Sequence, residues 1–149
     1  MKNPIVILAS ARRDSNTLRA LQATCPVRDY ELIDLLDFSI APYSYDSDYP
    51  AGDDFLAIAR QMTEAEVVVF ATPVYWYAMS GALKNFFDRL TDLISTQKPI
   101  GRALKERTCY LVACGSDPEL PEGFEVPFRR TCEYFEMEFA GSFYTPIND

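Results

Sequence analysis

Three short stretches of this chain hold the groups that could do chemistry. The first, Ser10-Ala-Arg-Arg-Asp-Ser-Asn-Thr17, is dense in hydroxyls (Ser10, Ser15, Thr17) and adds Asn16 and two arginines. An apolar run precedes it, and Leu18, Leu21 and Cys25 follow at helical spacing, so it reads as the turn from a strand into a helix. Free N–H groups at a helix start, with hydroxyls and an arginine, make an anion site. The same residues also suit plain capping, with Ser15 or Asn16 as N-cap and solvated arginines. The stretch is neither a dinucleotide glycine motif nor a P-loop with its lysine. The second stretch, Pro73-Val-Tyr-Trp-Tyr-Ala-Met79, puts three adjacent aromatics in a loop. They suit a flat ring ligand, simple packing or a contact with a second copy. The third, Cys114-Gly-Ser-Asp-Pro118, turns out of a strand. The chain has no histidine, which excludes a His-dependent triad and counts against zinc. Cys25, Cys109, Cys114 and Cys132 form no Cys-x-x-Cys and read as buried, reduced thiols; no metal site is expected.

Each stretch needs an element to carry it. Val67 to Ala71 is a short, β-branched apolar run, as expected of a strand buried on both faces, and Pro73 should end its pairing. Ser80 stands where an N-cap would, ahead of Leu83, Phe86, Phe87, Leu90, Leu93 and Ile94 on one helical face. Apolar runs at residues 4–10, 29–34, 108–114 and 138–144 supply four more strands. Helical patterns lie at 55–62 and 128–135. Residues 41–54 hold two prolines, three tyrosines and four aspartates, and read as a solvated loop or as a lid over a ligand. Residues 95–107 read as a polar connection carrying Lys98, Arg102, Lys105 and Arg107, either a solvated face or an attractor for an anionic substrate. Alternation of five strands with helices predicts a single α/β domain over 1–149, a doubly wound parallel sheet with helices on both faces. With strand order 2-1-3-4-5, the first two stretches flank the point where the order reverses, so a flat ligand with a phosphate tail fits there.

A net charge of −8 with no basic stripe argues against nucleic acid and anionic membranes as partners. The apolar run Ile5 to Ala9 is too short for a signal-peptide core or a membrane span, so a soluble, cytoplasmic protein is expected. Tyr43, Tyr45, Tyr49, Trp76 and Tyr77 put more aromatic surface in loops than one small domain should leave bare, which predicts a homodimer or homotetramer.

The sequence resembles the flavodoxin-like NAD(P)H-dependent flavin mononucleotide (FMN) reductase family over nearly its whole length. The first stretch is similar to the family's Ser-x-Arg-x-x-Ser-x-Thr pattern through Ser10, Arg12, Ser15 and Thr17. The second matches Pro-x-Tyr, then Gly-x-Leu-Lys, then Asp, through Pro73, Tyr75, Gly81, Leu83, Lys84 and Asp88. The resemblance implies that Ser10, Arg12, Ser15, Asn16 and Thr17 hold the FMN phosphate. It implies that Pro73, Val74, Tyr75, Trp76 and Tyr77 wrap the flavin ring, largely through the N–H groups of Val74 to Tyr77. Cys114 and Gly115, with Ser116, would approach the ring's other side. Trp76 and Tyr77 depart from the family, where small residues are common. No cysteine lies in 41–54, so an iron–sulfur cluster is not expected. The implied activity is hydride transfer from NADPH or NADH to bound FMN, then electron transfer to a quinone, free flavin or similar small acceptor. No side chain need act as catalyst, because the flavin carries the chemistry. A flavodoxin-type electron carrier, reduced by a partner protein, is the alternative; a ligand sensor without turnover is a weaker third reading.

Overall fold

The computed structural model describes residues 2–147. Strands β1 (Ile5–Leu8), β2 (Glu31–Asp34), β3 (Val67–Pro73), β4 (Thr108–Gly115) and β5 (Glu138–Pro146) form one sheet. Its order is β2-β1-β3-β4-β5 and every pairing is parallel. Parallel neighbours need crossovers, and α1 (Asn16–Thr24), α2 (Phe55–Glu64), α3 (Gly81–Arg89), α4 (Lys98–Arg102) and α5 (Val126–Tyr134) supply them. Two further 3-10 turns occupy Leu35–Asp37 and Leu90–Ile94.

Alternation along the strands sorts the core into two layers. Ile5, Ile7, Val68, Phe70 and Leu111 pack with Phe55, Ile58 and Met62 of α2, Leu83 and Phe86 of α3, and Phe128 of α5. Val6, Leu8, Val69, Ala71 and Val112 face the other way, onto Ala20 and Leu21 of α1. The expected fold and strand order are therefore those observed, with helices on both faces. Ser80 caps α3 as expected, accepting from Leu83 N at 3.2 Å, and its hydroxyl also donates to Ala9 O at 2.7 Å, tying the helix start to the end of β1.

Two expectations need correction. Pro73 does not stop pairing: it lies in β3 opposite Cys114, and Val74 N still donates to Cys114 O at 2.8 Å. Peptide groups alternate sides along a strand. Ala71 O accepts from Ala9 N on the β1 side, so Pro73 also faces that side, beyond the end of β1. Its missing N–H therefore costs no ladder bond. Second, residues 95–107 are not an open connection, since α4 forms within them. At Gly101 an added Cβ would lie 2.2 Å from Leu93 O, so α4 can sit this close to the 3-10 turn Leu90–Ile94 only with glycine there. Residues 41–54 form a loop, as expected, and it is pinned to α3. Arg89, 1% exposed, donates to both Asp53 oxygens (2.8 and 2.9 Å), to Asp92 Oδ2 (2.9 Å) and to Ala41 O (2.9 Å). Its guanidinium also lies 3.5 Å from the centre of the Tyr49 ring, and Tyr49 donates to Asp92 Oδ1 at 2.9 Å.

Candidate functional site

Because β1 and β3 are neighbours whose chains leave in opposite directions, a crevice opens at their carboxyl ends. A cleft of about 460 Å³ lies there. It is lined by Ser10, Ala11, Arg12, Ser15, Asn16 and Thr17 from the first loop and by Pro73, Val74 and Tyr75 from the loop after β3. Cys114, Gly115, Ser116 and Ile147 close it from the ends of β4 and β5. This volume is within the range of about 300–1,000 Å³ usual for small-molecule sites. Ten of the twelve residues expected from the sequence meet in this one cleft. The other two, Trp76 and Tyr77, line an adjoining cavity of about 240 Å³ with Ser116, Asp117, Pro121 and Tyr144; Val74 and Ser116 belong to both walls.

The first loop is rich in unused donors. Ser15 is the N-cap of α1, its hydroxyl oxygen accepting from Leu18 N at 3.0 Å, which leaves the hydroxyl proton free to donate. Ser10 donates to Arg12 O at 2.8 Å, which fixes the bend of the loop. Among the described residues, none of the backbone N–H groups from Ser10 to Thr17 has an acceptor. Free donors at a helix start, where the dipole is positive, can hold an anion. Capping and anion binding are thus compatible here. The two arginines divide the work: Arg13 pairs with Asp37, whereas Arg12 is exposed, forms no ion pair among the described residues and lines the cleft.

The aromatic loop is a tight turn. Tyr75 N donates to Ala78 O at 2.9 Å and Ala78 N to Tyr75 O at 3.1 Å, and the two residues between, Trp76 and Tyr77, have φ of 50° and 68°. This is the two-residue hairpin geometry that ordinarily takes Asn-Gly. Of the four N–H groups expected to wrap a ring, Val74 and Tyr75 are already bonded to protein; those of Trp76 and Tyr77 are free. Trp76 and Tyr77 are 93% and 66% exposed, so burial does not offset the strain of two side-chain-bearing residues in the left-handed region. Tyr77→Gly should therefore raise stability by about 1 kcal/mol, or roughly 2–4 °C in melting temperature. A thermal melt showing a fall instead would mean that the Tyr77 ring packs more than its exposure implies.

The third loop makes a close wall. A Cβ on Gly115 would lie 3.0 Å from both the Tyr144 hydroxyl and Val74 Cβ. Tyr144 donates to Asp117 O at 2.7 Å. Burial pushes the Cys114 thiol up, against a smaller opposing effect of its Thr17 contact at 3.4 Å, so Cys114 meets the cleft as a neutral thiol and not as a nucleophile. Ile147 and Tyr144 went unnoticed in the sequence, and no local signal marks them. Ile147 reaches the cleft because its N–H extends the ladder to Gly115 O at 2.7 Å.

The basic run expected to attract an anionic substrate is elsewhere. Lys98, Arg102 and Lys105 line a separate cavity near the start of β4, whereas Gly115 at the cleft is its last residue. At about 3.3 Å per residue, β4 puts roughly 23 Å between these ends. Among the described residues no group of His, Cys, Asp and Glu could hold a metal, and no helix is long and apolar enough to cross a membrane.

Comparison with known proteins agrees with this geometry. The family model described as NADPH-dependent FMN reductase matches residues 4–120. A Bacillus subtilis protein named as an NAD(P)H-dependent FMN-containing oxidoreductase, YwqN, is 28% identical over 96 residues, covering 62% of this chain and 53% of that protein. An NAD(P)H-dependent FAD/FMN reductase of Geobacillus thermodenitrificans is 31% identical over 91 residues, covering 61% of this chain and 44% of that protein. The chain thus spans about half the length of the curated relatives it matches. Among solved structures, the Trp repressor binding protein from Bacillus subtilis superposes with a TM-score of 0.75 at 26% identity, covering 98% of this chain and 88% of that one.

Proposed function

The chain belongs to the NADPH-dependent FMN reductase family, and from that premise we propose that it binds FMN in the cleft at the β1–β3 switch point and works as an NAD(P)H-dependent oxidoreductase. The observation that carries this reading is the set of unpartnered N–H groups on Ser10, Ala11, Arg12, Ser15, Asn16 and Thr17, residues that share one cleft with a tyrosine-bearing loop. FMN, when bound, supplies the redox chemistry, accepting a hydride from NADPH or NADH and passing electrons to a quinone, free flavin or similar small acceptor.

The chain's own work is binding and polarisation. The phosphate would be held by these N–H groups, the Ser15 hydroxyl, the side-chain amide of Asn16 and the Arg12 guanidinium, a charge-assisted set. Thr17, hydrogen-bonded to Cys114, ties the first loop to the β4 wall. The free N–H groups of Trp76 and Tyr77 would donate to the ring's pyrimidine edge, where negative charge develops on reduction, as an oxyanion hole does. Val74 and Gly115, with Tyr144 packed behind them, would form the wall on the β4 side. The adjoining cavity carries Asp117 and no cation, so it suits the neutral ring of a donor or acceptor and not a pyrophosphate.

Anaerobic stopped-flow reduction of the FMN-loaded protein tests the proposal. NADPH or NADH should bleach the flavin absorbance within minutes. If dithionite bleaches it and neither nicotinamide does, the chain is an electron carrier that needs a partner reductase.

A further inference from the structure

We propose that the cavity lined by Trp76, Tyr77, Tyr144 and Asp117 is a binding site for an aromatic organic cation. The site and its ligand class stand on this chain's own residues; only its use as a substrate site rests on the flavin reading.

The cavity, of about 240 Å³, is smaller than the roughly 300 Å³ at which drug-sized sites begin, so it suits a single ring system. Its walls are Val74, Trp76, Tyr77, Ser116, Asp117, Pro121 and Tyr144, with Asp117 the one charged residue among them. Aromatic ring faces carry negative charge density and attract cations, tryptophan most strongly. Asp117 is half-buried, and its carboxylate reaches no cation within 4 Å among the described residues. Burial first, and the Asp117 charge second, push the Tyr144 hydroxyl up, so that charge is felt at the aromatic wall. A neutral ring in this cavity leaves Asp117 unpaired. A cationic ring pairs it and gains cation–π attraction from the walls.

The chain around the cavity supplies no competing cation. Neither lysine nor arginine occurs from Val67 to Leu83 or from Thr108 to Phe128, the segments that provide every wall residue except Tyr144. Glu119 and Glu122, both exposed, flank Pro121 in sequence and add to the negative field. Arg12 lines the adjoining cleft and not this cavity. A net charge of −8 draws cations toward the protein at long range and repels anions. The backbone adds a separate observation. Trp76 and Tyr77 hold φ of 50° and 68° although their exposure gives no packing in return. Strain of this kind clusters at ligand clamps, and here it is what presents two aromatic residues at one wall.

Trp76 is the only tryptophan of the chain, so indole fluorescence reads this cavity directly. Three probes share a benzene ring and differ in charge: benzyltrimethylammonium, benzyl alcohol and benzenesulfonate. Each is titrated into the protein with and without added FMN. Benzyltrimethylammonium should change the Trp76 emission saturably, at least about tenfold tighter than benzyl alcohol, and benzenesulfonate should give no saturable change. Asp117→Asn should weaken binding of the cation about fivefold, as expected of one partly exposed charge pair. Tyr77→Phe, which keeps the ring, should bind as wild type does, and Tyr77→Leu about threefold more weakly. Equal affinity for the cation and the sulfonate, or wild-type affinity in Asp117→Asn, would overturn the proposal. So would binding of the cation that FMN abolishes, because the probe would then occupy the flavin cleft. A protein that binds the cation but no FMN would keep this site and remove the flavin reading. Thermal melts identify a variant that loses affinity through misfolding, and the comparison of probes on wild type decides without any variant.

Discussion

Replacing Arg89 with methionine should destabilise the folded chain by about 3–5 kcal/mol, the cost of leaving buried carboxylates without their cation. At roughly 2–4 °C per kcal/mol for a chain of this size, the melting temperature should fall by about 6–20 °C. Asp53 and Asp92 are both nearly buried and both donate nothing themselves; each accepts from Arg89. Burial alone would push Asp53 up, but the Arg89 hydrogen bonds, with those from Ala41 N and Phe55 N, outweigh it and hold the carboxyl below its ordinary 3.8. A depressed folded-state pKa contributes stability that is fully present above the unfolded value and lost as pH falls through the folded one. Wild type should therefore lose this contribution below about pH 3.8. Asp53→Asn should show a shallower acid limb in melts recorded from pH 6 downward. An Arg89→Met variant that melts within 2 °C of wild type would mean that water, not Arg89, satisfies the two carboxylates.

Arg12→Ala should weaken FMN binding by roughly 10- to 150-fold, the loss of about 1.5–3 kcal/mol from one charge-assisted contact. Ser15→Ala should also weaken it, through loss of both a donor and the cap of α1. Arg13→Ala is the internal control. It stands next in sequence with the same charge, but Asp37 already holds it, so FMN affinity should stay within about twofold, since a satisfied surface pair contributes little. Titration calorimetry distinguishes the three. Equal losses for Arg12 and Arg13 would point to general charge attraction in place of a defined phosphate contact, and no loss in any variant would remove the phosphate from this loop.

Much of the cleft was legible because its parts are local. A hydroxyl-rich loop between an apolar run and a helical face, and a proline-aromatic loop after a β-branched run, each announce a strand-to-helix turn. Parallel crossovers then bring such turns to one edge of the sheet. The buried network was legible only in part. Arg89 falls three residues after Phe86 and six after Leu83, on the apolar face of α3, and Asp92 follows one turn later. A charge on that face is a signal, but its second carboxylate, Asp53, comes from a loop 36 residues upstream.

By itself the sequence determined the five strands, every helix but α4, the parallel sheet and the loops at its carboxyl edge. These follow from periodicity and from residue chemistry within a few positions along the chain. The tertiary structure alone decided which donors remain free. It bonded Val74 and Tyr75 to the protein while leaving Trp76 and Tyr77 unpaired, and it tied Arg13 to Asp37 while leaving Arg12 at the cleft. It also sent the basic run 98–105 to the far end of β4. Each of these depends on a hydrogen bond or ion pair between segments distant in sequence, or on the direction of a strand, and local composition carries neither.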